Sequence, residues 1–374
     1  MSAPLAVKRR LPRHGEVRRY TRADCVQLEA FQRECFGDGA RQLDADCFEW
    51  MYEQNPFHGE DGPQFWVFRH GDTIAGQQGG IPIVLKVGDR CLEASWAVDL
   101  MVAPEWRLRG VGPALSEMQA DASQVALALG MSDAAYRSYC TAGWFDLGSV
   151  PTYLRVIDAA SCVRLGKHSA PLLRVAASVA DLPLRAFDMV CAGMARLTGT
   201  RLVPIPAFDD RVDALWLSAS RFYPVVAGRD RRRLGWWFDT GPKAQRYRRF
   251  YLTRNGAVKG YIVLRADVWE GKPLGVVIDY FAAPGWLPLL FAHTIAFARN
   301  ERMIAVTCRT LNRRAHNGLR ALGFLTLENG YQTPTRMMLR TNGTAAELAP
   351  LLQDRNNWMV TTGDSDTGLR ELGP

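Results

Sequence analysis

Several things are missing from this chain. Its eight cysteines, at 25, 35, 47, 91, 140, 162, 191 and 308, include no Cys-x-x-Cys pair and no regular framework. That is the usage of a reduced compartment, so a cytoplasmic protein without a metal site is expected. No apolar stretch follows the basic residues of the opening MSAPLAVKRRLPRHGEVRRY, which argues against a secretory leader. Residues 280–298 carry no Lys, Arg, Asp or Glu, but Pro284, Gly285, Pro288 and His293 interrupt them. A membrane span needs about 20 continuous apolar residues, so a strand end, a turn and a buried helix are expected instead. The excess positive charge is concentrated in one segment. Residues 221–254 hold ten basic residues against two acids, which accounts for the whole net charge of +8. The remainder of the chain is balanced.

What is present is ordinary for a globular protein, with 48% apolar and 22% charged residues. A length of 374 residues exceeds what one core usually holds, so two domains are expected. Self-comparison supports this. Asp99-Leu-Met-Val-Ala-Pro104 resembles Asp279-Tyr-Phe-Ala-Ala-Pro284, and Gly143-Trp144 resembles Gly323-Phe324, both at an offset of 180. Gly71–Gly76 resembles Asn255–Gly260 at about the same distance, and Trp50–Pro56 resembles Trp236–Pro242. Matches in the same order at one long period indicate a duplicated domain.

Each copy reads as a mixed α/β unit. Helices are expected over 22–36, 44–53 and 112–129, with strands at 65–70, 74–79, 81–87 and 95–102. The Gly71-Asp72 pair between the first two strands signals a hairpin. Residues 169–199 are apolar at helical spacing, and Pro183 divides them into an expected helix pair that bridges the domains. An amphipathic helix on a membrane surface is the other reading of that segment. The polar stretch after Thr341, with Gly-Asp-Ser-Asp at 363–366, suggests a partly ordered tail.

The segment Leu100–Leu115 carries the chemistry. A strand ends near Val102, and the loop Arg107-Leu108-Arg109-Gly110-Val111-Gly112 leads into a helix. Unsatisfied N–H groups at a helix N-terminus bind phosphate, glycines allow close approach, and arginines add charge. No Gly-Lys-Ser/Thr follows, and the three-glycine dinucleotide pattern is absent. An ordinary tight turn is the plain alternative.

This segment resembles motif A of the GNAT acetyltransferase superfamily, Gln/Arg-x-x-Gly-x-Gly/Ala after a strand. Ala135-x3-Tyr139-x3-Gly143-Trp144 keeps a second family pattern, with Met131 where an asparagine often stands. The resemblance implies two tandem GNAT domains, each a mixed, mostly antiparallel sheet flanked by helices. They would occupy 16–158 and 206–342, joined by a helical linker over 159–205 and followed by a tail from 343 to 374. It implies acetyl-CoA as co-substrate, with Met101 and Val102 aligning its pantetheine arm, residues 107–112 holding its pyrophosphate, and Tyr139 protonating the leaving thiolate. A tyrosine packed under the sheet is the alternative for Tyr139. Cys140 reads as a buried thiol.

In the second copy Arg107, Gly110, Gly112 and Tyr139 correspond to Leu287, Leu290, Ala292 and Leu319. That copy is therefore expected to be degenerate. Asp99 has a partner, Asp279, in the inert copy, which favours structural roles for both over a general base. The acceptor implied is a primary amine, with Trp50, Tyr52, Asp99, Arg231, Arg232 and Arg233 as candidate contacts. A resemblance to tandem GNAT proteins of bacterial polysaccharide assembly points to an anionic amino sugar. A nucleic-acid partner is not expected. An aminoacyl-tRNA-dependent transferase and a non-catalytic acyl-CoA-binding module are the competing functions, and a solvated arginine-rich face is the plain reading of 221–254.

Overall fold

The structure, a computed structural model, describes residues 15–165, 171–327 and 335–370. The described residues up to 149 and from 335 to 355 form one compact unit, and those from 150 to 327 and from 356 to 370 form another.

The first unit contains β1 (Gly15–Arg19), α1 (Cys25–Phe36), α2 (Ala45–Phe48), β2 (Phe65–His70), β3 (Thr73–Val87) and β4 (Arg90–Val102). α3 (Val111–Asp121), β5 (Val125–Leu129), α4 (Asp133–Thr141) and β6 (Phe145–Ser149) follow. Its sheet runs β1-β2-β3-β4-β5, and the strand Arg336–Thr341 then lies between β5 and β6. Only the β4–β5 pair is parallel. The β2–β3 hairpin turns at Gly71-Asp72, with Gly71 at φ 59° as a two-residue turn requires. β3 is a single 15-residue strand where two were expected. The expected helix over 112–129 stops at Asp121, and Val-Ala-Leu-Ala-Leu becomes β5, buried along its whole length. A parallel strand covered on both faces reads as such an unbroken apolar run.

The second unit begins with β7 (Thr152–Val156), α5 (Ala159–Leu165), α6 (Pro171–Leu197), β8 (Thr200–Ile205), α7 (Arg211–Ala219), β9 (Val225–Ala227) and α8 (Arg231–Leu234). Next come β10 (Tyr247–Arg254), β11 (Ala257–Trp269), β12 (Lys272–Ala282), α9 (Leu287–Asn300), β13 (Ala305–Asn312), α10 (Arg313–Ala321) and β14 (Leu325–Leu327). After β15, the Arg336–Thr341 strand of the first unit, β16 (Trp358–Thr361) completes the set. The sheet runs β8-β10-β11-β12-β13, β7 lies between β13 and β14, and β16 pairs with both β13 and β9. α6 is one 27-residue helix with Pro183 inside it, not the helix pair expected.

The two units share local features. In each unit an aspartate N-cap, Asp44 or Asp230, accepts from the backbone N–H three residues on and starts a four-residue helix. That helix continues as a π-turn, Glu49–Glu53 or Gly235–Asp239. The strand after β6 is exchanged: β7 follows the first half of the sequence but joins the second unit, and β15 does the converse. The expected tail is ordered as well. Residues 343–353 fold with the first unit, and 358–369 are buried in the second.

Candidate acyl-CoA site

In the first unit β4 and β5 stay paired from Ala94–Val125 to Ala97–Ala128 and then part. The cause is local. Asp99 has φ 56°, and the β3–β4 register shifts between Gln77 and Gly79, so β4 bulges there. Beyond the bulge β4 still pairs with β3 through Met101 and Val102. Among the described residues no strand pairs with the opposite edge of Leu100–Val102.

A web of side chains fixes the bulge. The Asp99 carboxylate accepts from Arg41 Nη2 and Gln42 Nε2, both at 2.7 Å, and from Tyr52 Oη at 2.8 Å. Its backbone carbonyl accepts from Gln77 Nε2, and Gln32 Nε2 donates to Gln77 Oε1. Tyr52 reaches Asp99 across Gly79, where a Cβ would stand 2.4 Å from the phenol oxygen. Three donors on one carboxylate tie the segment between α1 and α2, and the π-turn after α2, to the bulge, so the structural reading of Asp99 fits this geometry. Trp50 and Tyr52 are each 3% exposed. As buried side chains they cannot form the acceptor surface expected of them, and Tyr52 serves Asp99 instead.

Past Val102 a 3₁₀ turn, Pro104–Trp106, leads to the Arg107–Gly112 loop. Trp106 anchors it, with ring centroids 5.4 Å from Phe68 and 4.6 Å from His70. The Arg109 guanidinium lies over the Trp106 ring, and Arg107 Nε donates to Val102 O. Leu108 has φ 61° and is 98% exposed, and Gly110 caps α3 at φ 85° without a side-chain acceptor. A left-handed, fully exposed leucine is strained and unshielded, which marks a loop shaped for something other than packing. The first-turn N–H groups of α3 open beside the free edge of β4. Gly112 faces α4, where a Cβ would stand 3.0 Å from Ser138 Oγ, a buried hydroxyl without a hydrogen-bond partner.

Tyr139 is 2% exposed and packs at 4.5 Å against Trp144. Its cluster contains Ala97 and Ala128, the last pair before the strands part, and Leu100 packs against that cluster.

The second unit differs at each of these points. After the 3₁₀ turn Pro284–Trp286, α9 starts at once with Leu287, so no counterpart of the 107–110 loop exists. β12 and β13 pair from Leu274–Ala305 to Val277–Cys308. Beyond that point β16 pairs with Thr310–Asn312, and Thr362 Oγ donates to Ile278 O. The chain's own residues 358–364 therefore fill the wedge. Asp279 accepts from Arg229 at 3.2 Å, Tyr261 Oη at 2.6 Å and Thr361 Oγ at 2.7 Å, and Arg229 also donates to Asp364 at 2.8 Å. Burial pushes the Tyr261 phenol well above its ordinary pKa, which keeps it a donor.

The basic segment is partly internal. Arg229 and Arg233 are 1% and 4% exposed, and burial lowers the Arg233 guanidinium to about 10. Arg233 stacks on Trp237 and donates to Asp364 O, so it is not available to a dissolved acceptor. Arg231 pairs with Asp210 at 2.5 Å on the surface, and Arg232 is exposed. Sequence reasoning missed Arg41, Gln42, Gln77 and Ser138. No motif marks them, because their partners lie 20 to 60 residues away or, for Ser138, across two helices.

No described helix is long and apolar enough to cross a membrane. Among the described residues no cluster of His, Cys, Asp and Glu could hold a metal ion. No curated protein matches the chain. Among solved structures, a GCN5-related N-acetyltransferase from Anabaena variabilis matches at TM-score 0.58 and 14% identity, covering 87% of this chain and 72% of that one. A probable N-acyltransferase from Enterococcus faecalis matches at 0.58 and 11%, with the same coverage. The N-myristoyltransferase of Saccharomyces cerevisiae with bound myristoyl-CoA matches at 0.52 and 11%, covering 88% and 83%. Residues 16–145 match the acetyltransferase (GNAT) domain model, and the chain has the mixed α/β fold of these GNAT-like structures.

Proposed function

We propose that the chain is an acyl-CoA-dependent N-acyltransferase with one acyl-CoA site, in the first of two tandem GNAT folds. The observation that carries this reading is the free edge of Leu100–Val102 meeting the N-terminus of α3 through a left-handed, arginine-flanked loop. The edge offers amide partners to a pantetheine arm, and the loop offers N–H groups and charge to a pyrophosphate. An amine held in the opening attacks the thioester carbonyl, the C–S bond breaks, Tyr139 gives the departing thiolate a proton, and the proton the nitrogen sheds restores the phenol through solvent. Acetyl-CoA is the donor proposed, and an anionic amino sugar the acceptor.

The second fold supports a single site, since it lacks the loop and fills its own wedge. Isothermal titration is expected to give one acetyl-CoA per chain, and two sites would overturn the assignment. Thiol release with a panel of amino sugars tests turnover. Tyr139→Phe is expected to lower kcat while leaving acetyl-CoA affinity unchanged. Unchanged kcat would leave Tyr139 a packing residue.

A further inference from the structure

α6 is amphipathic the wrong way round. Its two carboxylates point inward: Asp181 accepts from Ala159 N at 2.6 Å, and Asp188 accepts from Arg155 Nη2 at 2.5 Å and also from Arg299. Ala195 and Cys191 share that buried side. On the opposite side Val179, Leu182, Phe187, Val190, Met194 and Leu197 are between 42% and 89% exposed. At 100° per residue these six fall within an arc of about 140°, in a stripe roughly 27 Å long. Soluble surface helices bury such a stripe, and an exposed one marks an interaction surface.

Charge decides what covers it. Arg185 and Arg196 lie exposed on one flank of the stripe, about 20° apart around the helix. No carboxylate on the described part of α6 is exposed, because Asp181 and Asp188 are both buried. A second copy of this face would bring arginine toward arginine with nothing to neutralise it. An apolar stripe edged by arginines suits an anionic bilayer, with the apolar side chains entering the acyl boundary and the arginines at the headgroups.

We propose that α6 is a membrane-surface helix that docks this protein on an anionic lipid bilayer. The chain would lie on the membrane without crossing it.

Flotation of the full chain with phosphatidylcholine vesicles containing about one-third phosphatidylglycerol tests this, with pure phosphatidylcholine as the reference. Partition is expected on the anionic vesicles and is expected to weaken as salt rises. Val190→Glu with Met194→Glu should abolish it while leaving the thermal melt unchanged, since both side chains are exposed. Arg185→Gln with Arg196→Gln keeps the stripe apolar and is expected to weaken partition roughly 30-fold, about fivefold for each arginine. This second pair decides the matter if the glutamate variant fails to fold. Three results would overturn the proposal: no partition of the wild-type chain, partition untouched by either pair, or a soluble dimer that the glutamates split while vesicles go unbound.

Discussion

Alanine at Gly112 separates two reasons for a glycine in the loop. One is packing: the new Cβ would stand 3.0 Å from Ser138 Oγ, so that hydroxyl or the two helices must give by a few tenths of an ångström. Overpacking of that kind costs about 1–3 kcal/mol. The other is ligand approach, in which the methyl lifts a phosphate off the helix N-terminus. Ser138→Ala tells them apart. Its hydroxyl is buried with no partner, so removing it alone should stabilise the protein by about 1 kcal/mol. It also leaves the Ser138 Cβ 3.7 Å from the Cβ at 112, an ordinary contact. The double variant should then regain the stability of Ser138→Ala to within about 0.5 kcal/mol. If the ligand needs the bare backbone, acetyl-CoA binding stays weak in the double variant. Losing one hydrogen bond to a charged group, about 1.5–3 kcal/mol, corresponds to a roughly 10–150-fold higher Kd. Denaturant titration and calorimetric binding on the four proteins complete the cycle. Wild-type affinity in the double variant would refute the phosphate contact and leave Gly112 a packing residue. A large loss of affinity from Ser138→Ala alone would make that hydroxyl a ligand group.

Three further outcomes follow from buried charges. Asp24 sits in a bidentate pair with Arg18 at 2.6 and 2.8 Å, and these hydrogen bonds hold its carboxyl down at about 2. A depressed carboxylate stabilises the fold above its unfolded pKa, so stability should fall between about pH 4 and pH 2, and Asp24→Asn should flatten that limb of a pH-resolved denaturation series. Arg229→Met removes the one guanidinium that donates to both Asp279 and Asp364, which should cost about 3–5 kcal/mol and make residues 358–370 cleavable under limited proteolysis. Asp99→Ala removes the common acceptor of Arg41, Gln42 and Tyr52 and should cost about 2–4 kcal/mol; an unchanged denaturation midpoint would show that the bulge holds without it.

The sequence was most legible where structure is local. A two-residue turn between alternating strands, and a glycine pair ahead of an apolar helix, specify themselves within a few residues, and both the hairpin and the start of α3 form as expected. Val125–Leu129 was misread because five apolar residues suit a helix end and a buried strand equally. Pro183 breaks nothing. Its ring faces solvent on α6, where water can satisfy the carbonyl that loses its N–H partner. Asp364 looked like tail polarity, but its ion pair with Arg229 spans 135 residues, and no window of sequence reveals such a partner. The loop of the candidate site was readable, whereas the Asp99 web that shapes the opening beside it was not.

The exchanged strands also set a timetable. β5 and β6 are made early, yet the strand that lies between them, Arg336–Thr341, emerges about 190 residues after Ser149. At a synthesis rate of roughly 5–20 residues per second, the first sheet waits some 10–40 s with an unfilled gap and two unpaired strand edges. The N-terminal half therefore cannot finish folding on the ribosome ahead of the C-terminal half. A chain truncated near residue 158 would contain the whole Arg107–Gly112 loop and still lack the strand that closes its sheet. Until Arg336–Thr341 pairs with them, the edges of β5 and β6 are open to association with strands of other chains.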